Sequence, residues 1–397
     1  MRHSAFWQAP YRPLFTAAGV WAVLCIAWWP LGTSFGVPAP AMSAPVLWHI
    51  HELFFGFATA AVGGYLLTAM PNWIGKPPER GLVLKGLLCA WIAARLVMAA
   101  FDTMPLAVVL PVNAAYLVVL AGLMAIRLKR AKAYPKLGFV AAILMLATLD
   151  ATFLILAKSG DVAACIALTQ LLLLGFALLL TFVGARMIPA FTQSWQQITG
   201  RYDLAVHLRP RARVCALLAL LVAVVATVLS LPWLGPLALL IASFCTLFTA
   251  TGWRSIITRH NPLLAGLHVA YLWLPLGLAA LALTDLFPAI YPAGATKHAL
   301  TIGAISGLIL AVAGRAGSHT PSGQLKAPKP LILAMICLWL ATTLRLIAPL
   351  SSSETTLLNG AALLWITAWS AFLITLRPSL IGAPVRPVLS GKKAPKT

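Results

Sequence analysis

The sequence has very little acid. Eight Asp and Glu stand against 29 Lys and Arg in 397 residues, and charged residues make up only 9% of the chain. A soluble domain carries about 25% charged residues, so a water-soluble enzyme or binding module is excluded. No long polar segment is present either. The longest connection between apolar runs, after the sixth, is about 25 residues and shows no periodic apolar pattern, which excludes an extramembrane domain. Paired cysteines are missing as well. The six cysteines, at 25, 89, 165, 215, 245 and 337, are scattered singly without a C-x-x-C pair, so they read as small apolar packers rather than a redox or thiolate-metal motif. No lipidation motif is visible. "PAPAMSAP" at 38–45 resembles a signal cleavage site, but the apolar run before it is about 20 residues. That exceeds the roughly 7–15 residues of a signal h-region, so the run reads as a retained first span.

What the sequence has is hydrocarbon: 61% of its residues are hydrophobic. Twelve apolar runs cover roughly 14–35, 48–70, 82–101, 104–126, 137–157, 162–188, 213–231, 233–253, 262–287, 296–314, 331–349 and 357–376. Each is long enough to cross the ~30 Å hydrocarbon core as a helix. The expected fold is an all-α membrane protein with twelve transmembrane helices in a single polytopic domain, 1–397. Its loops alternate between basic and nearly uncharged, and 25 of the 29 Lys and Arg fall on one side of the twelve-span layout. That asymmetry puts both termini in the cytoplasm. The basic excess is then a topology signal and an attraction to anionic lipid, not a nucleic-acid surface.

Ionisable groups at the centre of a membrane helix cost roughly 2.5–3.5 kcal/mol each, so each one is a candidate for function. Span two opens "WHIHELFFGF", which sets His49, His51 and Glu52 at its outer end. Span ten opens "TKHALTIGAISG" with His298 at the same depth. Arg95 lies near the outer end of span three and Arg345 near that of span eleven, with Lys297, Asp102 and Asp285 in the outer loops. A sparser inner set holds His268, Arg186, Arg315, His319 and the segment Met70, Pro71, Asn72, Trp73. At 1.5 Å per residue, roughly 15–20 Å separates the two sets. His3, His207 and His260 flank basic loops and read as solvated.

At 100° per helical residue, His49 and Glu52 share a face about 60° apart, whereas His49 and His51 point some 160° apart. Span two can therefore serve two partners. Imidazole is a common axial ligand of haem iron and a good copper ligand. The Gly- and Ala-rich stretches after Glu52 and His298 would admit a flat ring, or would serve close helix packing. Arg95 and Arg345 could hold propionates. Glu52 could ligate a metal or orient a histidine.

"WHIHELFFGFATAAVGGYLLTAMPNWIG" resembles the NnrS family, bacterial inner-membrane proteins linked to denitrification and nitric oxide stress. "GARMIPAFTQSW", "LLAGLHVAYLWLPLGLA", "HALTIGAISGLILAVAGRAGSHT" and "LRLIAPL" extend the resemblance in order along nearly the whole chain. It implies bound haem and copper, and His49, His51, Glu52, Arg186, His268, His298, Arg315 and His319 fall on the family's motif positions. One departure is "GRAGSHTPSG", where the family more often reads "TRxSLGHTGR". A weaker similarity concerns architecture. Inward spans two, six and ten, spaced four apart, suggest three four-helix units like those of haem–copper oxidases, which hold haem through histidines of the second and tenth helices. Spans six and seven contain no histidine for the oxidases' copper, so oxygen reduction is not expected.

The resulting expectation is a haem b near the periplasmic side between spans two and ten. His298 and His51 would be its axial ligands, with His49 the alternative, and copper would bind nearby. Nitric oxide or a related small molecule is the expected ligand. A twelve-helix transporter, or a factor delivering haem or copper to denitrification enzymes, are the rival readings. Whether the protein turns over a substrate stays open, as does its electron donor.

Overall fold

A computed structural model describes residues 4–42, 44–200, 205–320, 324–385 and 388–389. His3 and most of the basic tail "RPVLSGKKAPKT" lie outside the described residues. Among the described residues, twelve helices are long and apolar enough to cross a membrane: α1 Tyr11–Phe35, α2 Pro45–Ile74, α3 Leu82–Ala99, α4 Leu106–Arg130, α5 Tyr134–Lys158, α6 Val162–Thr199, α7 Pro210–Val228, α8 Leu234–Thr251, α9 Pro262–Leu286, α10 Ala293–Ala316, α11 Lys329–Leu350 and α12 Glu354–Leu380. The chain is thus a multi-pass membrane protein. The one large change from the expected spans is α6, which runs to Thr199 and takes eleven residues from the connection that follows its apolar run. Pro189 signals a stop, but Thr192 and Gln196 beyond it are buried. Tertiary contacts therefore continue the helix where propensity would end it.

The chain divides into two compact units, not the three four-helix units suggested by the spacing of inward spans. The first contains Met1–Thr169 with Leu376–Val388, the second Gln170–Thr375 with Leu389–Thr397. The spacing argument follows helix direction alone, whereas the division follows which apolar faces bury one another. In the first unit α2 is the most buried helix and packs against α1, α3, α4 and α5. In the second that role falls to α10, beside α9 and α11.

Both buried helices widen to a π-helical turn at the same place in their sequence. In α2 the π segment is Glu52–Ala58, directly after His51, and in α10 it is Ala299–Ser306, directly after His298. A π turn misaligns the carbonyl ladder, so other donors must reach the backbone. The indole Nε1 of Trp91 donates to the Gly56 carbonyl at 2.9 Å, and Ser306 Oγ donates to the Thr301 carbonyl at 2.8 Å.

The small residues of α2 serve close approach. A Cβ on Gly56 would meet Arg95 Nη1 at 2.5 Å and Trp21 Nε1 at 2.6 Å; one on Gly63 would collide with the Tyr116 hydroxyl. Of the two readings open for the Gly/Ala stretch after Glu52, the structure fills the space with neighbouring side chains. Four of the six cysteines are buried and none is in a disulfide, as expected of apolar packers.

Candidate functional site

The first unit holds a buried chain of polar side chains drawn from four helices. Asp150 of α5 lies 2.8 Å from His51 Nε2, and His51 Nδ1 lies 2.8 Å from Glu52 Oε1. Glu52 Oε2 accepts from Arg95 Nη1 of α3 at 2.8 Å, and Arg95 Nη2 donates to Asn113 Oδ1 of α4 at 3.1 Å. Asn113 Nδ2 ends the chain on its own helix, donating to the Val109 carbonyl at 2.9 Å. All five residues are at most 5% exposed.

Proton counting follows from this geometry. A neutral imidazole has one N–H and one lone pair. With a carboxylate oxygen at each ring nitrogen, the lone pair would face another lone pair unless one more proton is present. The chain is complete when Asp150, His51 and Glu52 share that proton. With Arg95, two positive groups then balance two carboxylates. Balance matters here because an unpaired charge in a low dielectric costs several kcal/mol.

The helix spacing puts His49 and His51 about 160° apart, and they take different partners: His51 joins Glu52, while His49 lies against Trp29 with ring centroids 5.1 Å apart. The backbone stays α-helical up to Glu52, whose N–H reaches the Trp48 carbonyl. Buried opposite charges attract strongly enough to bring neighbouring side chains together. His51 does not fit an axial ligand, since both its nitrogens are engaged. Glu52 and Arg95 are likewise committed to each other rather than to a metal or a propionate. Asp150 and Asn113 were missed by the sequence reading. Asp150 had a visible signal, a lone carboxylate in the middle of "LMLATLDATFLIL"; Asn113 did not.

In the second unit His298 is half-buried at the start of α10. Its Nδ1 faces the Gly294 carbonyl at 3.0 Å. Arg345 is half-buried near the end of α11, where the neighbouring Leu346 carbonyl accepts from the Tyr291 hydroxyl. Lys297 and Asp285 interact electrostatically.

His268 of α9 is 3% exposed. Its Nε2 pairs with Thr192 Oγ1 at 3.0 Å and its Nδ1 with Ser255 Oγ at 2.8 Å. Both nitrogens are taken, so this histidine also offers no lone pair to a metal. Arg315 is buried, lies 4.2 Å from the centroid of the Phe191 ring, and donates from Nε to the Leu389 carbonyl at 2.6 Å. Arg186 is exposed beside the Phe182 ring. His319 sits in a short backbone bridge with Leu325, flanked by a 2.9 Å bond from Lys326 N to the Ser318 carbonyl.

The structure therefore unites His51, Glu52 and Arg95 and adds Asp150 and Asn113. Among the described residues no group of three or more His, Cys, Asp or Glu is arranged to hold a metal ion. Of the expected ligands, His298 fits best: its Nδ1 faces a backbone carbonyl and so carries the hydrogen, which is the tautomer of a metal-binding imidazole.

Comparison with known protein families gives a match along the chain. The family described as "NnrS protein" matches residues 5–383, nearly the whole length. No curated protein matches the chain.

Proposed function

The chain belongs to the NnrS family, and on that premise we propose that it is a haem-carrying protein of the bacterial inner membrane, with copper as a second metal, acting in the response to nitric oxide during denitrification. The observation that carries the haem assignment is the Nδ1 contact of His298 to the Gly294 carbonyl. It holds the ring and its tautomer before any iron arrives, which lowers the cost of binding. His298 would hold the iron, and Arg345 would offset propionate charge. Haem, when bound, supplies an iron that takes a small ligand or exchanges electrons. The widened turn after His298 shapes the backbone beside it, and π turns of this kind recur at functional sites. In this reading both termini are cytoplasmic and the His298 end of α10 faces the periplasm. His51 and Glu52 act as buried charge partners in the first unit.

An optical spectrum and a metal count on detergent-purified protein test this. The wild type is expected to show a Soret band and bound copper. The band should weaken in His298→Ala and persist in a folded His51→Ala; the same measurement on His49→Ala decides whether that residue contributes. A folded wild-type sample with neither haem nor copper would sink the proposal. Anaerobic nitric oxide consumption with a reductant separates an enzyme from a binder.

A further inference from the structure

Buried hydrogen-bond donors gather at the arginine-rich end of the second unit without an acceptor among the described residues. From Val162 to Thr284 the sequence has seven arginines, no lysine and a single acid, Asp203. Asp203 lies outside the described residues. Helix α7 starts here at Pro210 with Arg209 as its N-cap, and no side chain caps it. Its first backbone N–H groups therefore have no intrahelical partner, and its dipole favours an anion.

The surroundings of that helix start are fixed by backbone and ring contacts. His207 N donates to the Gly252 carbonyl at 2.8 Å, which sets the approach to α7 against the turn carrying Trp253. Arg254 Nε reaches the Ala205 carbonyl at 3.4 Å. The Trp253 ring packs on Tyr271 of α9 with centroids 4.7 Å apart, and Arg213, in the first turn of α7, acts electrostatically on Tyr271. Trp253 is 1% exposed and Tyr271 fully buried. Yet Trp253 Nε1, the Tyr271 hydroxyl and Arg213 Nε are all buried without a hydrogen-bond partner.

Native interiors rarely leave three such atoms unsatisfied in one neighbourhood. Indole N–H and guanidinium are donors only, so what satisfies them is an acceptor, and beside an arginine and a helix N-terminus it is an anion. Guanidinium, unlike ammonium, presents a planar fork that matches a tetrahedral oxyanion. We propose that this end of the second unit is an oxyanion site of the phosphate class, formed by Arg213, Trp253, Tyr271 and the start of α7. The phosphate can come from the headgroup of an anionic lipid or from solution. The site is independent of the haem reading, since it uses none of the residues assigned there.

The test is thermal unfolding of the purified full chain in neutral detergent. One arm titrates inorganic phosphate against chloride at matched ionic strength. The other titrates short-chain phosphatidylglycerol against phosphatidylcholine. A saturable rise in unfolding temperature in the first arm identifies a free oxyanion, and in the second a lipid headgroup; either supports the site. Tyr271→Phe deletes one unpartnered oxygen and keeps the packing, so it keeps the test open even where Arg213→Gln fails to fold. Each is expected to weaken the apparent affinity about tenfold, as for loss of a hydrogen bond to a charged group. Arg259→Gln, at an exposed position, should leave it unchanged. The proposal is overturned when neither arm shifts the wild type, or when Arg259→Gln weakens the response as much as Arg213→Gln. It is also overturned when a response appears only in Asp203→Asn, because Asp203 would then be the internal occupant.

Discussion

Asp150 and His51 are 99 positions apart in the sequence and 2.8 Å apart in the fold. Their contact joins α5 to α2, and through Glu52 and Arg95 it extends to α3 and α4. No other set of described ion pairs links so many helices of the first unit. The histidines that first drew attention as metal ligands thus divide by environment. His51 is enclosed by carboxylates, while His298 rests against a backbone carbonyl.

Removing Asp150 leaves His51 with one carboxylate partner in a site without water access. Asp150→Ala is expected to destabilise the protein by about 3 kcal/mol, the low end for breaking a buried charge pair. Asp150→Asn should cost less, since its amide still offers an oxygen to His51. Denaturant unfolding in detergent measures both, and equal costs would mean that hydrogen bonding is not what Asp150 contributes.

Glu52 and Arg95 should behave as a coupled pair. Glu52→Gln and Arg95→Gln each leave a charge stranded, whereas the double variant strands neither. A double-mutant cycle is expected to show at least about 1 kcal/mol of coupling between two groups in direct contact. Additive costs would rule out the 2.8 Å contact as an energetic link.

The pair between Arg127 and Glu79 provides the contrast. Its two bonds are 2.5 and 3.0 Å long, but Arg127 is 39% exposed. Water screens such a pair, so Glu79→Gln should change stability by less than about 1 kcal/mol. A loss as large as that of Asp150→Ala would show that burial is not what separates the two sites.

Gly63 tests how tightly α2 is packed. A methyl group there would collide with the Tyr116 hydroxyl, so Gly63→Ala is expected to cost about 1–3 kcal/mol through overpacking. Tyr116→Phe in the same chain removes the clashing oxygen and should recover part of that loss, at the expense of the 3.3 Å bond to the Thr59 carbonyl. Absence of any recovery would place the strain elsewhere.

The helices were readable because each apolar run matches the membrane thickness, a constraint that acts on the local sequence alone. Helix ends were less readable: α6 outlasts its apolar run because Thr192 and Gln196 find tertiary partners. In the candidate site, His51, Glu52 and Arg95 stood out as charges in lipid, and so could Asp150. Their mutual bonding did not stand out, because helix spacing gives directions on one helix and not which side chains of neighbouring helices meet it. Nor did any local pattern mark Tyr271 and Trp253 as unpartnered donors, since lacking a partner is a property of everything packed around a residue.

From sequence alone came the class of molecule, the number of crossings, the excess of arginine and lysine on one side, and which residues are costly in a bilayer. Those depend on transfer of each segment from water to hydrocarbon, which composition determines. Only the tertiary structure decided which costly residues neutralise each other and which histidine is set between carboxylates. It also decided that the chain divides within α6. Each of these is set by contacts between segments distant in sequence, where a displacement of an ångström or two separates a hydrogen bond from none.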